Sequence, residues 1–249
     1  NYQNIMYGLI GNPLGHSFSA DFFNKKFENE GINESYMLFP LPEINCVESL
    51  INDHKDLKGF NVTIPYKQQI IPYLTSLSDE AEEIGAVNVV KVERNHEKTI
   101  LRGYNSDAIG FRNSILPLLK PNMKKALVLG TGGASKAVVY ALKSLGINVT
   151  RVSRKASEDA ISYEDLTPGI MAENLIIVNT TPLGMWPNVD DAPAIPYHLV
   201  SSDHLCYDVV YNPEMTTFMA KSKNQGAVVK NGLEMLHLQA LAAWEIWQS

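Results

Sequence analysis

Residues 124–154 read KKALVLGTGGASKAVVYALKSLGINVTRVSR, and the succession of textures in this stretch decides the fold. A short apolar run ends at Gly130, glycines recur at Gly132 and Gly133, a helical segment follows, and a second β-prone run closes on Ser153. Strand, glycine turn, helix, strand is the form of a dinucleotide-binding unit. Glycines let the backbone approach a pyrophosphate, and the helix behind them offers unpaired N–H groups and the positive end of its dipole. Gly130, Gly132, Gly133 and Ala134 are therefore candidate cofactor contacts. The last glycine of the usual G-x-G-x-x-G pattern is Ser135 here, and SAM-dependent methyltransferases and plain structural turns use similar glycines. The flanking strands and helix favour the nucleotide.

The end of the second run chooses between cofactors. An NAD site usually places Asp or Glu about 20 residues beyond the glycines, on the ribose 2′-hydroxyl. Here the chain reads Arg151-Val152-Ser153-Arg154-Lys155, with no carboxylate until Glu158. Arg154 and Lys155 would attract a 2′-phosphate and Ser153 would hydrogen-bond it. A solvated basic loop is the plainer alternative; NADP is the expectation.

Outward from this stretch, strand-like and helix-like segments alternate along all 249 residues, the pattern of an α/β protein in two parts. Strands are expected at residues 7–11, 35–41, 59–64, 86–94 and 99–105, the last two joined as a hairpin through Asn95-His96-Glu97-Lys98. Helices are expected from Ser19 to about Glu30, from Pro42 as a first helical position, and from Asp107 to Leu119. Leu119-Lys120-Pro121-Asn122 reads as a joint. Beyond the opening stretch, residues 175–182 and 205–211 are short apolar runs of the kind a parallel sheet buries on both faces. Residues 227–232 read as a last strand, and Leu233–Trp247 as an amphipathic helix.

Composition narrows the function classes. With 45% hydrophobic and 19% charged residues the chain has a sizeable core, and a net charge of −6 argues against a general nucleic-acid partner. Cys46 and Cys206 are isolated from each other and from histidine clusters, so no metal site is expected, and two buried, inert thiols are the simple reading. No apolar run approaches the ~18 residues of a membrane span, and the first residues lack a basic-then-apolar signal pattern. A cytoplasmic protein is the expectation.

In the first half, GFNVTIPYK (59–67) runs a β-prone segment into Pro65 and then Lys67. Proline ends a strand ladder, which is expected to stop at about Ile64 and leave Lys67 at the tip. This segment resembles the N-V-T-x-P-x-K motif of the shikimate dehydrogenase family. IGNPLGHSFSADFFN (10–24), IGAVNV (84–89), GYNSDAIG (103–110), the glycine turn, NTTPLGM (179–185), YDVVYNPEMTTF (207–218) and NGLEMLHLQALAAW (231–244) resemble the family's other motifs in order.

The resemblance implies reversible, NADPH-dependent reduction of 3-dehydroshikimate to shikimate. It implies an N-terminal substrate domain (1–104 plus 233–249) and a Rossmann-like NADP-binding domain (105–232), with the C-terminal helix returning to the first. Lys67 matches the family's acid/base, with Asp107 orienting it and binding substrate. Ser17 and Ser19 would hold the substrate carboxylate; Thr63, Asn88, Asp107 and Gln239 the ring hydroxyls; Asn61 and Tyr211 would be neighbours. The nicotinamide would lie near Val209 and Gly232, with Asn179, Thr180 and Thr181 lining the cleft. The partner is a small-molecule substrate, without nucleic acid or membrane, for a monomer or homodimer. Departures from the family include Ala20 and Phe23 in place of its proline and histidine, Ser153-Arg154-Lys155 for N-R-T, Ser106 for threonine, and Val89.

Three other functions compete. A quinate/shikimate dehydrogenase using NAD would need room for one more hydroxyl. Gly15-His16-Ser17-Phe18-Ser19 approaches the G-x-S-x-G turn of serine hydrolases but lacks the final glycine and comes too early in the chain. A non-catalytic NADP sensor would have no use for Lys67 and Asp107.

Overall fold

Successive side chains of a strand point to opposite faces of its sheet, and β-strand residues of the first half feed two separate apolar clusters, so both faces of that sheet are packed. The computed structural model describes residues 4–249, so residues 1–3 of the expected first domain lie outside the described part. The chain divides into two units: one runs through Ser106 and includes Ala240–Ser249, the other is Asp107–Gln239.

The first unit contains β1 (Ile5–Gly11), α1 (Phe18–Glu30), β2 (Glu34–Pro40), α2 (Cys46–Asp53), β3 (Leu57–Val62), β4 (Ser76–Leu77), α3 (Asp79–Ile84), β5 (Val89–Arg94) and β6 (Thr99–Tyr104). Its sheet runs β2-β1-β3-β5-β6-β4. The first three strands are parallel, β3–β5 and β5–β6 are antiparallel, and β4 joins the edge parallel to β6. On β1, Ile10 packs into a cluster with Val47, Leu57, Phe60 and Val90. Tyr7 and Leu9 enter a second cluster with Phe23, Phe27, Tyr36 and Trp247. Trp247 comes from the chain's last residues; its Nε1–H donates to the Val90 carbonyl at 3.0 Å, and its ring occupies the space left by the absent side chain of Gly59. The hairpin loop is closed by Asn95, whose Oδ1 accepts from the N–H groups of Glu97 and Lys98 at 3.1 and 2.7 Å.

The second unit contains α4 (Asp107–Ile115), β7 (Lys125–Leu129), α5 (Gly133–Ser144), β8 (Asn148–Ser153), β9 (Ile161–Ser162), α6 (Pro168–Glu173), β10 (Ile176–Asn179), β11 (Leu205–Asp208), α7 (Thr217–Asn224) and β12 (Val228–Lys230). α8 (Leu233–Gln248) follows, its first turns counted with this unit and its last with the first. The sheet is parallel throughout, in the order β12-β11-β10-β7-β8-β9. Leu127, Val128 and Leu129 on β7, and Ile176, Ile177 and Val178 on β10, have no exposed surface, as strands covered on both faces require. Strand order reverses between β7 and β10, and in such sheets the crevice at that reversal takes the ligand.

Four expectations need correction. Pro42 does not open a helix: Leu41 donates its N–H to the Gly11 carbonyl at 3.0 Å, and α2 begins only at Cys46. Regular β3 ends at Val62, although Thr63 N–H to Ile10 O and Asn12 N–H to Ile64 O carry the pairing with β1 two residues further. α4 stops at Ile115, and Pro117 sits in a tighter 3-10 turn. Residues 119–122 lie inside the second unit, because Phe111 and Ser114 on α4 pack on Tyr207 of β11, with the two hydroxyls 2.6 Å apart. Of the two thiols, Cys206 is buried, and burial lifts it to about 11; Cys46 is only partly buried. No helix of the described residues is long and apolar enough to cross a membrane, and no group of three or more of their His, Cys, Asp and Glu side chains could hold a metal.

Candidate active site

Of the polar residues expected at the substrate, Ser19, Asn61 and Asn88 belong to one connected set in the first unit. Ser17 is the N-cap of α1, its hydroxyl accepting from Ala20 N–H at 3.3 Å. His16 and Asp21 form an exposed pair at 3.0 Å beside it. Ser19, in the first turn of α1, bonds the hydroxyl of Tyr36, which donates to Asn61 Oδ1 at 2.8 Å. Asn61 Nδ2 donates to the Asn88 carbonyl at 3.2 Å. Asn88 in turn exchanges two bonds with Ser106: Nδ2 to Oγ at 2.9 Å, and Ser106 N–H to Oδ1 at 2.7 Å. Tyr36, Asn61, Asn88 and Ser106 are all buried, so each amide is held in one orientation by partners that water does not replace.

Lys67 stands beside this row because of the turn before it. Tyr66 N–H bonds the Thr63 carbonyl at 3.0 Å, the buried Tyr66 side chain anchors to Leu41 O, and the Ile64–Pro65 bond within the turn is cis. The Lys67 carbonyl accepts from Val87 N–H at 2.8 Å, which ties Lys67 to the segment carrying Asn88. Thr63 and Lys67 are both half-buried.

In the second unit Asp107 opens α4, and Gly110 follows one turn later. A Cβ on Gly110 would come within 2.6 Å of Met235 O and 2.9 Å of Gln239 N. Only glycine lets α4 approach α8 this closely, and the approach brings the helix of Asp107 against the backbone of Gln239. Both residues are buried. Tyr211, just past β11, is about two-fifths exposed at 39%.

The cofactor expectations gather at the strand-order reversal. Gly130, just past β7, has φ +108°, a conformation that disfavours other residues, and a Cβ there would lie 2.7 Å from Thr180 Oγ1. Thr180 closes the other lip, its hydroxyl donating to the Leu129 carbonyl at 2.6 Å. Gly132 is the N-cap of α5; no side chain caps the helix, and a Cβ on Gly132 would point into open space. Backbone donors of Gly133 and Ala134 follow at this mouth, an arrangement that fits a pyrophosphate. Behind it Arg151 donates to Ser135 Oγ at 2.9 Å, where the usual motif has glycine. Arg154 and Lys155 stand exposed past β8, while the Ser153 hydroxyl is engaged with the Lys155 carbonyl. Gly232 packs so tightly on Val209 that a Cβ would fall on the Val209 carbonyl.

Two buried groups had no place in the expectations. Tyr36 links Ser19 to Asn61; a tyrosine in a strand signals a need for a polar partner but not which one. Asp208, fully buried at the end of β11, accepts from Asn179 Nδ2 at 3.1 Å, Val210 N–H at 3.0 Å and Thr216 Oγ1 at 2.7 Å. Desolvation outweighs these donors and lifts its carboxyl to about 6. The visible signal was a carboxylate inside an apolar run, LCYDVVY.

A family model described as the shikimate dehydrogenase substrate binding domain matches residues 9–90. The NADP(+) shikimate dehydrogenase of Clostridium beijerinckii is 40% identical over 254 residues, covering 97% of this chain and 91% of its own length. The crystal structure of shikimate dehydrogenase from Aquifex aeolicus superposes with a TM-score of 0.85 at 35% identity, covering 99% of this chain and 93% of the other. The Thermus thermophilus enzyme, solved with NADP(H) and shikimate, gives 0.84 at 29% identity, covering 98% and 93%.

Proposed function

This chain belongs to the shikimate dehydrogenase family, and we propose that it interconverts 3-dehydroshikimate and shikimate with NADP, using Lys67 and Asp107 to handle the proton. The first unit holds the substrate and the second the cofactor. The observation that carries this reading is the row of buried, oriented side chains Asn61 and Asn88 beside the turn that presents Lys67. Such a row suits a small ring bearing several hydroxyls, because buried amides with fixed donors and acceptors reject ligands that leave them unpaired.

NADPH, when bound, supplies the hydride that reduces the ketone. Gly130, Gly132, Gly133 and Ala134 would hold its pyrophosphate, Ser153, Arg154 and Lys155 its 2′-phosphate, and Thr180, Val209 and Gly232 would line the nicotinamide end. Reduction leaves an alkoxide on the ring. The Lys67 ammonium protonates that oxygen, and in the reverse direction the Lys67 amine removes the hydroxyl proton. Asp107 orients Lys67 and accepts from a ring hydroxyl. Ser17 and Ser19 bind the carboxylate, Thr63, Asn88 and Gln239 the hydroxyls, and Asn61 and Tyr211 border the ring. The enzyme works in the cytoplasm as a monomer or homodimer without nucleic-acid or membrane partners; the net charge of −6 supports the absence of a polyanion.

The test is absorbance at 340 nm with shikimate or quinate and NADP+ or NAD+. Fast turnover with shikimate and NADP+ supports the proposal. Faster turnover of quinate, or with NAD+, would replace it by the quinate reading, and no turnover of either acid would end both.

A further inference from the structure

Asp208 is a buried carboxylate that the proton chemistry leaves unused. Its three donors come from three separate places: Asn179 at the end of β10, Val210 just beyond Val209, and Thr216, which also caps α7 by accepting from Met219 N–H at 3.2 Å. The bond to Val210 spans Val209 and sets the backbone there, the same backbone that meets Gly232. The bond from Asn179 fixes that amide, so Asn179 Oδ1 faces the next turn and accepts from Thr181 N–H at 3.0 Å and Thr181 Oγ1 at 2.7 Å. Thr181 Oγ1 then accepts from Leu183 N–H at 3.3 Å. One side chain thus holds the loops that follow both β10 and β11. Asn179, Asp208 and Thr216 have no exposed surface, so water does not replace these bonds if the carboxylate is lost.

We propose that Asp208 is a positioning residue for the cofactor, holding the Asn179–Leu183 and Val209–Val210 segments in the shape that receives the nicotinamide half of NADPH. The inference rests on the reading that Thr180 and Val209 line that end of the cleft. It distinguishes the two halves of the cofactor: the phosphate side, at Gly132 and Arg154, is built on β7, α5 and β8 and makes none of Asp208's three bonds.

Fluorescence titration tests this with two probes, NADPH and adenosine 2′,5′-bisphosphate, which lacks the nicotinamide half. Asp208→Ala should weaken NADPH about tenfold, as loss of the sole acceptor for three buried donors implies. Its affinity for adenosine 2′,5′-bisphosphate and its KM for shikimate should stay within about twofold, below the ~1.4 kcal/mol of a tenfold change. Asp208→Asn keeps an oxygen toward Asn179 and Val210 and should recover most of the NADPH affinity. Equal weakening of both probes would show a merely structural role and overturn the proposal, as would unchanged NADPH affinity. If Asp208→Ala does not fold, Thr216→Val removes one donor isosterically. A loss confined to NADPH supports the proposal there, and none contradicts it. Wild-type protein that binds neither probe would refute the NADP reading itself, a result separate from any behaviour of the variants.

Discussion

Asp208→Asn should flatten part of the dependence of stability on pH. Burial raises the Asp208 carboxyl from its ordinary 3.8 to about 6 in the folded chain. Between these values the folded protein keeps a proton that the unfolded chain has released. Stability from this group is therefore fully present below about 3.8, falls as pH rises toward 6, and stays lost above it. The interval, 6 − 3.8, at about 1.36 kcal/mol per pH unit, makes the ionised side chain about 3 kcal/mol less favourable to folding at pH 7 than at low pH. Asparagine does not ionise and keeps an acceptor for Asn179 and Val210. Urea unfolding of both proteins at intervals from about pH 4 to 7 measures the effect. Subtracting one curve from the other cancels any constant difference from the altered Thr216 contact, and also the titration of Glu34, which burial raises as well. The variant should gain about 2.4 kcal/mol on the wild type across that range, the remainder of the shift lying below pH 4. A difference that stays constant with pH would refute the reasoning.

Gly110→Ala forces a Cβ against backbone atoms at 2.6 and 2.9 Å, so α4 and α8 must separate; we expect a loss of about 1–3 kcal/mol in urea unfolding and a raised KM for shikimate through Gln239. Trp247→Ala removes a ring stacked on Tyr7 at 4.7 Å and the bond to Val90 O; the first unit should lose about 3–5 kcal/mol, read as a lower unfolding midpoint. Arg154→Ala should raise KM for NADPH more than for NADH, and equal effects would remove Arg154 from 2′-phosphate recognition.

The fold was legible where one period dominates. The apolar runs of β7, β10 and β11 are unbroken because parallel strands are covered on both faces, and the glycine turn announces the helix behind it. Short elements such as β4, β9 and α3 were not legible: two-residue strands carry no period, and DEAEEI has only Ala81 and Ile84 as apolar positions, helical through its Ser78 cap, the hydroxyl accepting from Ala81 N–H at 3.1 Å. Among site residues, the resemblance to the family's motifs pointed to the amides and to Lys67. It did not point to Tyr36 or Asp208, because their partners lie 25 residues (61 − 36) and 29 residues (208 − 179) away and are set by strand order. Ser153 shows the same limit from the other side: its position was legible, but not the local carbonyl that engages its hydroxyl.

The central claim is that Lys67 moves the proton on the reacting oxygen. Steady-state turnover of Lys67→Ala with shikimate and NADP+ tests it most directly. The account predicts kcat lowered by roughly 10²–10⁴-fold, with KM for shikimate within a few-fold of wild type, as loss of a group acting in the transition state requires. A variant that turns over at near-wild-type kcat would contradict it.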